Sequence, residues 1–529
     1  MKTRLTILLL LSVIFLNAQD YQSLHNTYDV KHYKLTLSVN DTTDVIDAVM
    51  ETTVRFKKST PTFTLNLVAF DSITGKGMKV VDSIKQNNIN TTFKHNNNQL
   101  IIDTKHVFPR VDYTFTIKYK GIPKDGLIIS NNEFNERTFF ADNWPNRAQN
   151  WFPCVDHPLD KATIEYLITA PNHYQVIANG LQYEETNTSN QNKLYHYITN
   201  VPIPTKVMVI GIAKFAVQNS TSTNFNISNW VFPQNKTEGF STFNKTKNIL
   251  DFFTKKIGDY PFVKLANVQS KTRFGGMENA SAIFYAEDAV AKNKNVDKLI
   301  AHEIAHQWFG NTVTESDWSH LWLSEGFATY FANLYLKEVE GDSIFKENLL
   351  RDKKMILAFE KNNPSPVVNT SEKNYMKLLN PNSYQKGGFV LHMLHNQLGD
   401  EVFWKVITNF YDTFKYKNAS TNDFLRVVNA TSGKNYTTFF KQWLYKKKHP
   451  KLKTSWIINK NEVRLLVTQE QKELFEFPLE IELINDDGTS EIKIIEVNTQ
   501  ANPFKLTSSG NVKKVVVDPN TKLLFEIVE

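Results

Sequence analysis

A chain of 529 residues is too long for one hydrophobic core and predicts two or three domains. Hydrophobic residues make up 41% and charged residues 22% of the chain, which excludes a disordered or fibrous protein. The formal net charge of +7 is spread along the chain. Its one basic run, KKKHPKLK at 446–453, is interpreted as a solvated linker, so we expect no nucleic-acid partner.

The first nineteen residues predict a secretory signal peptide. A basic start precedes an apolar run over 5–16, and small and polar residues follow, so we expect cleavage after Ala18 or Gln19. An uncleaved anchor is the alternative, but the run is shorter than the roughly twenty apolar residues that a bilayer requires. We therefore expect export to the periplasm or the outside of the cell, without stable membrane insertion.

Hydrophobic periodicity divides the rest of the chain into three regions. Period-two segments such as YKLTLSV and ATIEYLITA predict an all-β region over 20–215. Apolar spacings of three and four then predict helices over 216–448, with one strand signal at 262–269, so this region is α+β. Alternation returns over 449–529 and predicts a compact β-sandwich. The predicted fold class is multidomain α+β.

The stretch IAHEIAHQWFGN predicts a metal site on a helix. His302 and His306 are one turn apart, so their rings leave the same face, and Glu303 lies about 100° round the helix. This H-E-x-x-H arrangement binds Zn²⁺ through its histidines and uses its glutamate as a general base, whereas a pair of core histidines is the alternative. Glu325, nineteen positions after His306 on a second amphipathic helix, supplies the third ligand that a catalytic zinc requires.

Two further stretches carry candidate site residues. RFGGMENAS places Glu278 after a strand and a glycine pair, where a backbone can approach a bound chain. SYQKGGFVLHML places Tyr384 at the start of a helix, where its hydroxyl can face a cleft. Taken singly, a solvated loop glutamate and a half-buried tyrosine are the alternatives.

Together these motifs resemble the aminopeptidase N family of zinc metallopeptidases, which also includes leukotriene hydrolase. HEIAHQW, LSEGFATYF, GGMEN and SYQKGG occur in the family's order, and the resemblance extends to RAQNWFPCVDHP at 147–158. It implies an amino-terminal β-saddle domain at 20–215 and a thermolysin-like catalytic domain at 216–448. The short β-sandwich at 449–529 stands where larger members carry a long helical domain.

The resemblance also implies a role for each site residue. His302, His306 and Glu325 would bind one Zn²⁺, Glu303 would be the general base, and Tyr384 would donate a hydrogen bond to the oxyanion. Glu278 would bind the substrate's free α-amino group. The rest of the predicted substrate-binding set consists of its neighbours Gly275, Gly276, Met277 and Asn279.

The family's second amine-binding position falls on Trp144, which breaks the family pattern. Asn143 or the face of Trp144 is a candidate for this second anchor, through a hydrogen bond or a cation–π contact. Packing is the alternative for Trp144.

The predicted function is a secreted zinc aminopeptidase acting on peptides with a free amino terminus. Alternatives are an endopeptidase on the same frame, epoxide hydrolysis as in leukotriene hydrolase, and a catalytically inactive peptide-binding module. The sequence leaves open the oligomeric state and the preferred first side chain.

Overall fold

The computed structural model describes residues 21–188, 191–221, 225–292 and 296–528. The predicted signal peptide at 1–19 lies outside the described residues. None of the helices in these ranges combines the length and the apolar character needed to cross a bilayer.

The amino-terminal region is built almost entirely of strands, as predicted. Its elements are α1 Tyr21–His25, β1 Tyr28–Ser38, β2 Ile46–Phe56, β3 Thr62–Asn66, β4 Gly77–Val80, β5 Ile84–Gln86, β6 Ile89–Thr91, β7 Phe93–Asn96, β8 Gln99–Asp103, β9 Asp112–Ile122, β10 Leu127–Asn131, β11 Arg137–Ala141, β12 Lys161–Pro171, β13 Gln175–Ala178, β14 Leu181–Asn187, β15 Asn192–Ile198, β16 Ile203–Pro204 and β17 Ile210–Ala213.

Most of these strands form one large sheet in the order β14-β15-β12-β1-β2-β9-β5-β6, with β16 beside β12 and β4 beside β9. Smaller sheets, β3-β8-β7 and β10-β11-β17-β13, complete the region. Alternation explains the strands: Tyr33, Leu35 and Leu37 of β1 are fully buried, while the residues between them are partly exposed.

The middle region mixes a five-stranded sheet with most of the helices of the described chain. Its elements are β18 Ala216–Thr221, β19 Asn226–Val231, α2 Lys236–Thr242, α3 Thr246–Ile257, β20 Lys264–Ser270, β21 Gly276–Met277, β22 Ala282–Ala286, α4 Glu287–Ala291, α5 Asp297–Ala305, β23 Val313–Glu315, α6 Trp322–Glu340, α7 Asp342–Asn362, α8 Gly387–Leu398, α9 Asp400–Phe414, β24 Lys417–Ala419, α10 Thr421–Ser432 and α11 Thr437–Phe440. The sheet order is β18-β19-β20-β22-β21.

The carboxy-terminal region contains two small sheets, β29-β26-β25-β31 and β28-β27-β30. Its strands are β25 Lys451–Asn459, β26 Glu462–Gln469, β27 Phe477–Asn485, β28 Ser490–Val497, β29 Ala501–Thr507, β30 Val512–Val517 and β31 Glu526–Ile527. Helices between β-rich ends confirm the multidomain α+β class. The predicted limits after residues 215 and 448 stay predictions.

Among the residues that the structure describes, the buried apolar side chains form two hydrophobic clusters. One cluster consists mainly of side chains from the amino-terminal sheets and extends to the five-stranded sheet of the middle region, where it includes Ala282 and Phe284 of β22. The other runs without a break from helices α3 to α11 into the carboxy-terminal strands. The site described below lies where the two clusters approach each other.

The basic run at 446–453 is only partly a solvated linker. Lys447 and Lys448 are exposed, but His449 and Pro450 are buried against the helices. The interpretation of the whole run as solvated was therefore wrong, because charge alone does not show that a buried carboxylate, that of Glu360, faces His449.

Candidate active site

Two helices bring the predicted metal ligands together. His302 lies on α5, and His306 directly follows the last residue of this helix, where its N–H still donates to the His302 carbonyl. The two ring Nε2 atoms are 3.1 Å apart. Glu325, in the first turn of α6, places Oε2 at 3.3 Å from each of these nitrogens.

This donor set fits a zinc ion. Four-coordinate zinc with bonds of about 2.0–2.1 Å separates its donors by about 3.3 Å, and the observed separations of 3.1, 3.3 and 3.3 Å match one face of such a tetrahedron. Glu325 Oε2 is also buried without a hydrogen-bond partner among the described residues. A buried acceptor is costly unless something pairs with it, so the site is suited to a cation.

The ring of His306 is held in place by contacts to Nδ1, the nitrogen on the opposite side of the ring from the candidate metal site. Its Nδ1 lies 3.0 Å from the Phe309 carbonyl oxygen and 3.1 Å from Ser324 Oγ. When Nδ1–H donates to the carbonyl, Nε2 keeps its lone pair for a metal. Gly310 makes room for this arrangement: its φ is +120°, and a Cβ there would lie 2.4 Å from Ser324 Oγ.

Glu303 lies beside the two histidines and is 4% exposed. Burial raises the pKa of its carboxyl well above the ordinary value, and nearby Glu278 and Glu325 add to the rise. Gly276 of β21 packs directly on it, because a Cβ at Gly276 would lie 2.4 Å from Glu303 Oε1. The glycine of the GGMEN motif thus permits contact between strand and carboxylate.

The backbone of Glu278 is held by residues just beyond the carboxy-terminal end of α5. Its backbone carbonyl accepts hydrogen bonds from Gln307 Nε2 at 2.9 Å and Asn311 Nδ2 at 2.7 Å. Its side chain is 4% exposed, and Oε1 is buried without a hydrogen-bond partner among the described residues. Burial raises the pKa of this carboxyl. A buried carboxylate in a cavity wall with an unmatched oxygen is suited to an incoming cation.

Tyr384 belongs to a π-helical turn, Asn382–Lys386, that leads into α8. Its ring lies parallel to that of His302, with the centroids 6.0 Å apart. Burial raises the pKa of the phenol well above its usual value, so the hydroxyl keeps its proton and can donate.

These side chains share one cavity of about 540 Å³. It is lined by the predicted residues Gly275, Gly276, Met277, Glu278, His302, Glu303, His306, Glu325 and Tyr384, and also by Trp144, Phe274, Val296, Lys298, Leu299, Thr329, Leu379 and Gln385. None of the sequence motifs includes Lys298, although it lies four residues before His302 and therefore on the same helix face.

Asn279 is the one member of the predicted set that does not line this cavity. Its side chain is fully buried, so direct contact with a substrate is not supported. A residue next to Glu278 on an irregular turn need not face the same way, and the motif could not show its orientation.

The structure corrects the expectation for Asn143. Its Nδ2 donates to the carbonyls of Thr205 and Met208, and its Oδ1 accepts from Trp151 Nε1 at 2.8 Å. The amide is therefore satisfied inside the protein and cannot be a second amine anchor. Trp144 does line the cavity, but it packs edge-on against Trp318 with ring centroids 5.3 Å apart, which favours the packing interpretation.

The fold and the His, His, Glu donor set are those of a zinc-peptidase frame, and comparison with known proteins specifies the family. The model of the Peptidase M1 N-terminal domain matches residues 29–207, and that of the Peptidase family M1 domain matches 241–443. The chain belongs to peptidase family M1, which confirms the resemblance to the aminopeptidase N family.

Similar proteins come from distant organisms. A probable aminopeptidase 2 of Sulfurisphaera tokodaii is 26% identical over 86% of this chain and 57% of its own length. The glutamyl aminopeptidases of Rattus norvegicus and Homo sapiens are each 27% identical, over 67% and 62% of this chain and 40% and 36% of their own lengths. The chain thus spans between about a third and three fifths of these relatives.

Proposed function

We propose that this protein is a zinc-dependent aminopeptidase that removes residues from the free amino end of peptides. The observation that carries the proposal is the unmatched oxygen of buried Glu278, in the same cavity as the His302, His306 and Glu325 donor set. The two histidines and the glutamate that could bind a metal are by themselves consistent with any hydrolase of this fold. The additional buried carboxylate restricts the substrate to one that brings a positive charge.

His302, His306 and Glu325 hold the zinc ion in this proposal. When bound, zinc supplies an acidified water and a polarised carbonyl at neutral pH. Glu303 takes the proton of the attacking water, and its raised pKa allows it to keep that proton until the amine leaves. Tyr384 donates a hydrogen bond to the carbonyl oxygen as negative charge develops on it.

Glu278 selects the free amino terminus. Its carboxylate pairs with the substrate's ammonium, and this charge-assisted contact is stronger than any that a neutral amide can make. An acetylated amino terminus or an internal peptide bond would leave the carboxylate buried and unpaired, which is unfavourable. The proposed partners are therefore peptides with a free amino end.

The location of the protein is also a proposal. The predicted signal peptide supports export, and the substrates would then be peptides in the periplasm or outside the cell. Detection of the mature chain in the periplasmic or medium fraction, beginning near residue 19 or 20, tests this part separately.

Hydrolysis of a panel of aminoacyl-anilides, with and without a chelator, tests the central proposal. We expect chelator-sensitive release that returns with added Zn²⁺. Glu303→Gln should lose activity while retaining the metal, and exposed Glu338→Gln is the matched control. Absence of chelator-sensitive release by the wild-type protein would overturn the proposal.

The same assay separates the alternatives. N-acetylated peptides should resist cleavage, and efficient cleavage of them would favour an endopeptidase. Peptide binding without turnover would favour the inactive binding module. For Glu278→Gln, we expect the ratio of free to acetylated substrate cleavage to fall by about tenfold or more, because a charge-assisted hydrogen bond is lost.

A further inference from the structure

Lys298 is a charged residue of the cavity wall to which the proposed mechanism assigns no task. It lies in the first turn of α5, one helical turn before His302, and its side chain lines the cavity. It is partly buried, and burial lowers the pKa of its ammonium. A lysine that merely solvates a helix face would instead point into open water.

The ammonium of Lys298 is poorly matched inside the protein. It donates one long hydrogen bond, 3.4 Å, to Asn348 Oδ1, and the same oxygen accepts a hydrogen bond from Arg351 Nη2. Within the described ranges no carboxylate lies within ion-pair distance of Lys298. The nearest negative charge acting on it is that of buried Asp352, which raises the pKa of Lys298 against the effect of burial and also accepts a hydrogen bond from Asn333 Nδ2 at 3.0 Å. Lys298 and Arg351 therefore share one neutral acceptor on α7, and the Asp352 carboxyl is the negative group that acts on Lys298 there.

The order of groups along α5 gives the direction of a bound peptide. Glu278 is held beyond His306 by Gln307 and Asn311, whereas Lys298 precedes His302. In a peptide whose amino group binds Glu278 and whose scissile bond lies at the histidines, the residues after the scissile bond therefore extend towards Lys298. These residues are called the departing portion.

The distance limits the length of that departing portion. Four residues of helix rise about 6 Å, and an extended chain covers at most about 3.6 Å per residue. One or two residues after the scissile bond therefore bring a carboxylate within reach of a lysine side chain at this position. Exposed Arg351 adds a second positive charge nearby, and it is opposed by the Asp352 carboxyl, whose own pKa burial raises.

We propose that Lys298 binds a carboxylate one or two residues beyond the scissile bond, so that the protein prefers di- and tripeptides or peptides acidic at that position. The proposal rests on the proposed aminopeptidase function. The carboxyl terminus of a short peptide and an acidic side chain share this chemistry. Lys298 is thus a specificity-determining residue for the departing portion of the substrate.

The test compares substrates that differ only in this charge. X-Gly-Gly is measured against X-Gly-Gly-amide, and X-Gly-Glu-amide against X-Gly-Gln-amide, where X is the residue that the wild-type protein cleaves best from the anilide panel. We expect the acidic member of at least one pair to have a higher kcat/KM by about tenfold or more, from a charge-assisted hydrogen bond. Preference within the first pair identifies the carboxyl terminus as the ligand, and preference within the second identifies a side chain.

Variants then assign the preference to Lys298. Lys298→Met should bring the ratio of acidic to neutral substrate close to one, and Lys298→Arg should keep most of it. Lys255→Met, which removes an exposed charge on α3, should leave the ratio at its wild-type value. Thermal melts verify that each variant is folded. An unchanged ratio in Lys298→Met, or no acidic preference in the wild-type protein, overturns the inference.

Failure of the proposed function gives a different result. A wild-type protein that cleaves none of these peptides refutes the aminopeptidase proposal. Calorimetric binding of the same peptide pairs to the wild-type and Lys298→Met proteins then tests the carboxylate site separately. The inference is supported if the wild-type protein binds the acidic peptide more tightly and Lys298→Met abolishes this difference. Equal affinities of the wild-type protein for both peptides overturn it.

Discussion

At the scale of single residues, three glutamates in one cavity differ in their partners. Glu325 faces two imidazoles, which outweigh the effect of burial and lower the pKa of its carboxyl, so it remains an anion. His306 also acts on Glu303 and Glu278, but there burial outweighs it and raises the pKa values of both carboxyls. The same side chain can therefore act as a ligand, a proton carrier or an ammonium binder, according to what surrounds it.

Tyr384→Phe tests the proposed role of the Tyr384 hydroxyl as a hydrogen-bond donor to the substrate's carbonyl oxygen. Removing the hydroxyl should lower kcat by about a hundred- to a thousandfold, as for other oxyanion donors, and should change KM little because the bond strengthens only in the transition state. Steady-state kinetics on the best anilide measures both constants, and metal analysis should show unchanged zinc. Tyr183→Phe, at an exposed tyrosine of β14, is the control. A loss smaller than about fivefold would contradict the assignment.

At the scale of elements, the turn that carries Tyr384 is fixed by a buried ion cluster. Lys386 Nζ donates to Glu360 Oε1 and to the Lys448 carbonyl, each at 2.7 Å. His449 Nδ1 lies 2.6 Å from Glu360 Oε2. The cluster joins α7, the π-helical turn and the start of the carboxy-terminal region, so Tyr384 is positioned by elements far apart in the chain.

The stability that Glu360 contributes should depend on pH. Burial alone would raise its pKa, but Lys386 and His449 outweigh burial and lower it. A carboxyl with a lowered folded pKa stabilises the protein fully above its unfolded pKa, about 4.3, and loses this contribution as the pH falls through the folded value. Glu360→Gln should therefore cost about 3–5 kcal/mol near neutral pH, and this cost should shrink below about pH 4.

Urea unfolding of both proteins between pH 7 and pH 3 measures this difference. Glu338→Gln, at an exposed glutamate of α6, should cost little at any of these pH values. A Glu360→Gln cost that stays constant down to pH 3 would show that packing, and not charge, accounts for it.

At the scale of the whole molecule, the carboxy-terminal strands complete the core of the helical region. Trp443 packs on Phe475 with ring centroids 5.1 Å apart, and Gln442 exchanges two hydrogen bonds with the backbone of Glu476. Lys353 Nζ donates to the Leu523 carbonyl at 3.1 Å. These contacts support one cooperative unit more than a separately stable sandwich.

Phe475→Ala should therefore destabilise the helices that carry the candidate site as well as the strands. Truncating a buried phenylalanine costs about 3–5 kcal/mol, and we expect a single unfolding transition shifted to lower temperature, with activity lost in the same transition. Calorimetry and residual activity after heating measure the two together. Ile457→Ala, at a residue that is 71% exposed, should have little effect. A separate early transition that leaves activity intact would show that the strands fold independently.

Local geometry made much of the site predictable from sequence. Residues four apart on a helix share a face whatever surrounds them, so the positions of His302 and His306 followed from spacing, and Glu325 followed from a second helix at a suitable distance. Alternation and helical periodicity likewise predicted the order of β, α+β and β regions, because each element must bury one face.

Periodicity and spacing could not predict how side chains are oriented on irregular backbone, nor which side chains from distant segments form hydrogen bonds or ion pairs. Three features depend on contacts between residues that are far apart in the sequence. They are the hydrogen bonds of Asn143 to backbone carbonyls, the burial of Asn279 away from the cavity, and the pairing of His449 with Glu360. Sequence alone thus determined which residue types and helix faces form the candidate metal site. Only the tertiary structure decided which polar groups remain unmatched in the cavity, Glu278 among them, because hydrogen-bond satisfaction depends on the whole packed neighbourhood.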